Sequence, residues 1–91
     1  MENVYLCLGG NVGDTRHYFE RAISLIESRI GTALQKSSVY WSEPWGFSAE
    51  QMFLNQIVVV ETALEPEVVL EHCHILENLL EKQYICRLFK N

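Results

Sequence analysis

Three glycines crowd into the segment Leu8-Gly9-Gly10-Asn11-Val12-Gly13-Asp14, and a glycine-rich turn ahead of a helix is a place where backbone N–H groups can cradle phosphate. The spacing is not Gly-x-Gly-x-x-Gly, and no Gly-x-x-x-x-Gly-Lys stretch occurs in the chain. Pattern alone favours a tight turn that needs positive φ before a capped helix. Carboxylates able to hold magnesium are scarce in one respect, because Asp14 is the single aspartate. His74 and Glu77 are three apart and can share a helix face; His72 and His74 make a poor metal site and read as exposed helix surface. Trp45 and Phe53, taken from pattern alone, read as core residues.

Composition sets the limits within which those residues act. A chain of 91 residues, 48% hydrophobic and 21% charged, can build one hydrophobic core, so residues 1–91 are expected to form one domain. A formal charge of −5, with seven basic residues scattered along the chain, argues against nucleic acid as a partner. No segment has the roughly 20 consecutive apolar residues of a bilayer span, so no membrane partner is expected and a cytoplasmic location is. Cys7, Cys73 and Cys86 lie in apolar runs without metal-type spacing and read as reduced thiols.

The elements that must position these residues follow from periodicity. Residues 4–8 are continuously apolar up to Gly9-Gly10, as in a central strand buried on both faces. Asp14 can cap a helix whose core face is Phe19, Ala22, Ile23, Ile26 and Ile30, with Gly31 at its end. Residues 34–41 read as a half-buried strand, broken by the loop at Glu43-Pro44-Trp45-Gly46, and residues 53–62 as a strand built on Ile57-Val58-Val59-Val60. Pro66 suits the first turn of a second helix with core face Val69, Cys73, Leu76 and Leu80. The order strand, helix, strand, strand, helix is most of an α+β, ferredoxin-like unit with an antiparallel sheet and two helices on one face. Its final strand is expected to be missing or replaced: residues 84–89 could complete the sheet, yet no Gly, Pro or Asn separates them from the second helix. Strand and continued helix both remain open for that tail.

Three blocks, read in order, resemble the 6-hydroxymethyl-7,8-dihydropterin pyrophosphokinase family: the Leu8 to Asp14 turn, the stretch from Ser37-Ser38-Val39-Tyr40 through Glu43-Pro44-Trp45-Gly46, and Phe53-Leu54-Asn55. The resemblance covers residues 4–79. Gly10 stands where the family usually has Ser, and Glu81-Lys82 where the family continues with Gly-Arg, which marks residues 81–91 as a divergent tail. The resemblance implies transfer of diphosphate from ATP to a reduced pterin in folate biosynthesis, with ATP and magnesium serving the parent family. It implies a pterin site from Gly9, Gly10, Ser42, Glu43, Trp45, Phe53 and Asn55, and a nucleotide-facing side from His74 and Glu77. A flat heterocycle suits an aromatic face such as Phe53, and its donor and acceptor edge suits an amide such as Asn55.

The family's Asp-x-Asp metal pair has no match in these 91 residues. The chain is therefore expected to be an N-terminal part of a pyrophosphokinase, with no catalytic or metal residue and no cofactor of its own, inactive alone and binding the pterin weakly. The alternative is a non-catalytic pterin-binding or interaction module that kept the fold. Without a fourth strand, the apolar edge of residues 4–8 would be exposed, so a homo-oligomer through that edge is expected.

Overall fold

In the computed structural model, residues 1–10, 14–42, 53–80 and 83–90 are described, with side chains at all of these except 42, 53 and 83–90. The elements run β1 (Glu2–Gly10), α1 (Thr15–Arg29), β2 (Thr32–Lys36), β3 (Tyr40–Ser42), β4 (Phe53–Thr62), α2 (Pro66–Leu80) and β5 (Gln83–Lys90). The sheet is antiparallel, ordered β2-β4-β1-β5, and β3 pairs β4 on from β2. With β2 and β3 sharing one strand position, this is the α+β, ferredoxin-like order. Among the described helices, none is long and apolar enough to cross a membrane.

Both helices start and face as their residues require. Asp14 accepts a hydrogen bond from the His17 backbone N–H at 3.3 Å, satisfying one of the donors left open in the first turn of α1. Phe19, Ala22, Ile23 and Ile26 of α1 and Val69, Cys73, Leu76 and Leu80 of α2 are buried, with Ile30, in one cluster with Val4, Leu6 and Leu8 of β1 and Leu54, Val58 and Val60 of β4. Burying a side chain of this size contributes about 1.5–3 kcal/mol, so the two helical stripes and one sheet face hold the domain together.

The other sheet face is only half covered. Tyr5, Cys7 and Gly9 alternate with the buried residues of β1 and are half-buried. The expectation of a strand buried on both faces is thus corrected: an apolar run without period does not reveal that helices cover one face only.

The tail forms a strand. β5 pairs β1 from Asn3↔Lys90 to Gly10↔Gln83, so the sheet has its last strand rather than lacking it. The physical reason is the row of N–H and C=O groups that β1 presents beyond β4, which a neighbouring chain segment can satisfy. The edge on which the homo-oligomer expectation relied is therefore filled by β5 within the chain.

The expected single strand over residues 34–41 is two strands separated by irregular backbone. Ala33 pairs Val60 while Gln35 pairs Val59, so two steps on β2 face one on β4. From Lys36↔Val58 to Tyr40↔Asn55 the outer chain takes four steps against three. Each is the extra residue of a bulge. Ser37 spans the second: its hydroxyl accepts from the Ile57 N–H at 2.9 Å, and its carbonyl accepts from Gln56 Nε2 at 2.8 Å.

Thr62 ties the end of α1 to the end of β4. Its buried hydroxyl donates to the Ile30 carbonyl at 2.6 Å and accepts from the Leu64 N–H at 3.0 Å. Thr62→Val keeps the shape and leaves both backbone groups without that partner. We expect urea denaturation to show a loss of about 1–3 kcal/mol; an unchanged midpoint would mean that this bridge is dispensable.

Candidate functional site on the open sheet face

At one end of the open face, three strands bring their backbones level. Asn55 of β4 lies between Gly9 of β1 and Tyr40 of β3, paired with each. Asn55 is half-buried, and its Nδ2 donates to the Tyr40 carbonyl at 3.4 Å, which orients the amide from the bulged side of the sheet. On the β1 side Gly9 brings no side chain, and a Cβ built there would stand 3.7 Å from Asn55 Oδ1. On that side the paired residue, Gly9, presents only backbone to the amide. A planar group with donors and acceptors along one edge can approach such a place flat against the strands.

Gly9 and Gly10 are separated by this register. Gly10 is buried and pairs Leu54, whose side chain belongs to the helix-side core, so only Gly9 shares the face of Asn55. Both glycines are part of β1 and not of a turn, a correction of the positive-φ reading at these two positions. Sequence reasoning also passed over Tyr40 and Cys7. They share a side-chain hydrogen bond on the open face, and the Tyr40 phenol is held above its usual value by partial burial and then by the neighbouring Cys7 thiol. No local signal points to Tyr40, because the bulges between β2 and β3 break the alternation that would count from one strand to the other.

Ser42 pairs Phe53 through the backbone, which sets both at the rim of the same end. Glu43 and Trp45 lie outside the described residues. His74 and Glu77 are on α2, with His74 Nδ1 3.4 Å from Glu77 Oε1; His74 is exposed and Glu77 half-buried. Because α2 ends at Leu80 and β5 begins opposite Gly10, Glu77 lies toward the same end of the sheet as Gly10, but in the helix layer. The structure does not bring it onto the face of Asn55. His72, read as exposed, is half-buried, and its Nδ1 is buried with no hydrogen-bond partner. Among the described residues, no three His, Cys, Asp or Glu groups could hold a metal ion together. A separate cleft of about 420 Å³ opens between α1 and the outer strands, lined by Arg16, Glu20, Glu27, Lys36 and Gln56 among others.

A family model described as 7,8-dihydro-6-hydroxymethylpterin-pyrophosphokinase matches residues 5–90, from β1 through β5. The chain belongs to this pyrophosphokinase family. It is 36% identical over 80 residues to the 2-amino-4-hydroxy-6-hydroxymethyldihydropteridine pyrophosphokinase of Porphyromonas gingivalis, covering 88% of this chain and 54% of that protein. The enzymes of the same name from Bacillus subtilis and Aquifex aeolicus are 35% and 41% identical, over 88% and 77% of this chain and 49% and 43% of their own lengths. The chain thus spans about half the length of the curated relatives it matches. The match runs through β5, so the pyrophosphokinase likeness extends past the end of α2.

Proposed function

We propose that this chain carries the pterin-holding part of a site that transfers diphosphate from ATP to 6-hydroxymethyl-7,8-dihydropterin in folate biosynthesis, and that these 91 residues alone bind the pterin without completing the transfer. The observation that carries this is the Asn55 amide, set on the open face between a side-chain-free Gly9 and the Tyr40 carbonyl. In this reading Asn55 meets the donor and acceptor edge of the pterin. Phe53 and Trp45 stack on its ring, Ser42 and Glu43 contact its polar rim, and Gly9 walls the pocket through backbone, with Gly10 next to it at the end of β1. His74 and Glu77 face the nucleotide. The family's place in folate synthesis supports a cytoplasmic setting.

Diphosphate transfer rests on positioning and on metal ions that neutralise phosphate oxygens, and magnesium takes oxygen ligands, carboxylates foremost. Asp14, the single aspartate, is engaged in capping α1, and the described residues gather no group of carboxylates that fits magnesium.

Calorimetry with 6-hydroxymethyl-7,8-dihydropterin tests the reading. Binding near millimolar, about −4 kcal/mol, is expected with or without ATP, and Asn55→Ala should weaken it about tenfold. With ATP and magnesium present, AMP should stay at background. Heat that Asn55→Ala leaves unchanged would overturn the pocket, and AMP that scales with protein would overturn the lack of transfer.

A further inference from the structure

The pairing of the last strand sets two of the three cysteines opposite each other. Cys7 on β1 is paired with Cys86 on β5. Directly opposed residues on antiparallel strands have Cα atoms about 4.5–5.5 Å apart and Cβ atoms on one face. Disulfides bridge Cα separations of about 4.4–6.8 Å. Cys7 is half-buried and belongs to the sheet face that the helices leave uncovered, so a small oxidant can reach its position. Cys73 is different: it is fully buried in the core on α2.

We propose that Cys7 and Cys86 form a reversible disulfide clasp that fastens β5 to β1, with a low-molecular-weight disulfide as oxidant. One cysteine's thiolate attacks the small disulfide, forming a mixed disulfide and releasing one small thiol. The second cysteine's thiolate then attacks the protein sulfur of that bond and releases the other small thiol. Two protein thiols are oxidised, one disulfide is reduced to two thiols, and the two protein protons end on the released thiols.

The fold gives the clasp a use. Among the described strands β5 pairs only with β1, so its backbone hydrogen bonding within the sheet is that one ladder, with α2 packed beside it. A bond between residues 7 and 86 closes nearly the whole chain into a loop, which restricts the unfolded state strongly. It also lies two residues from Gly9, on the strand that bounds the Asn55 amide.

Oxidised glutathione applied to the 91-residue Cys73→Ser chain, followed by alkylation and intact-mass measurement, tests the clasp. The expected product has lost two hydrogens, takes up no alkylating agent, yields one peptide linking Cys7 to Cys86, and unfolds at higher urea until dithiothreitol reverses the change. Cys86→Ser, made in the same background, should stop at a glutathione adduct on Cys7. Full alkylation of both cysteines, a glutathione adduct without ring closure in the Cys73→Ser chain, or a disulfide joining two chains would each overturn the proposal.

Discussion

Gly31→Ala is expected to destabilise the domain by about 2–3 kcal/mol, although Gly31 is neither in the site nor at a positive φ. The residue ends α1, where its N–H donates to the Ile26 carbonyl at 3.2 Å, and it then passes against the end of β4. A Cβ built there collides with the Glu61 carbonyl oxygen and lies 2.9 Å from the Glu61 carbonyl carbon and 3.1 Å from Thr62 Cα. All three neighbours are backbone, so no side chain can rotate away. Nor can β4 give way, because Glu61 is paired with Asn3 on one side and Thr32 on the other. Relief requires moving the end of α1 outward, which pulls Ile30 from the Thr62 hydroxyl and opens the core beside Ile26. Against a total of about 5–15 kcal/mol for a small domain, the urea midpoint should fall by about 1–2 M. An unchanged midpoint would show that the close approach is not enforced.

Gly9→Leu should do the reverse, sparing the fold and removing pterin binding. A Cβ at Gly9 meets Asn55 Oδ1 at 3.7 Å, ordinary contact, and no positive φ would strain a larger residue. β1 should accept leucine readily, since glycine in a strand interior is entropically costly. The added side chain shares the face of Asn55 and fills the approach to its amide. Calorimetry should show no measurable heat with pterin, while the unfolding free energy from urea denaturation changes by less than about 1 kcal/mol. Wild-type binding by this variant would place the ligand elsewhere. The pair of glycine substitutions separates fold from site, since each is expected to damage one alone.

Local pattern was enough for both helices and the β-branched strand. The core faces of α1 and α2, the cap at Asp14, the start at Pro66 and the span of β4 all depend on residues within a few positions of each other. What was not legible depends on partners distant in the chain. Residues 83–90 become a strand because β1 offers an edge, and nothing between Leu80 and Tyr84 announces a reversal. The break between β2 and β3 is a matter of register against β4, sealed by the Ser37 hydroxyl. Gly31 looked like a helix stop, while its stricter requirement is the approach of Glu61, thirty residues later. In the site, the resemblance supplied Asn55, but only strand pairing shows that Gly9 shares its face and Gly10 does not, and that Tyr40 orients it.

The placement of pterin recognition on the open sheet face is tested most directly by following backbone amide resonances while 6-hydroxymethyl-7,8-dihydropterin is titrated into the chain. Shifts should concentrate at Gly9, Tyr40 and Asn55 and at the Asn55 side-chain amide, saturate with one common affinity near millimolar, and spare Val69, Cys73 and Leu76 in the helix layer. Shifts confined to Arg16, Glu20 and Lys36, around the cleft beside α1, or no shifts at saturating pterin, would contradict it.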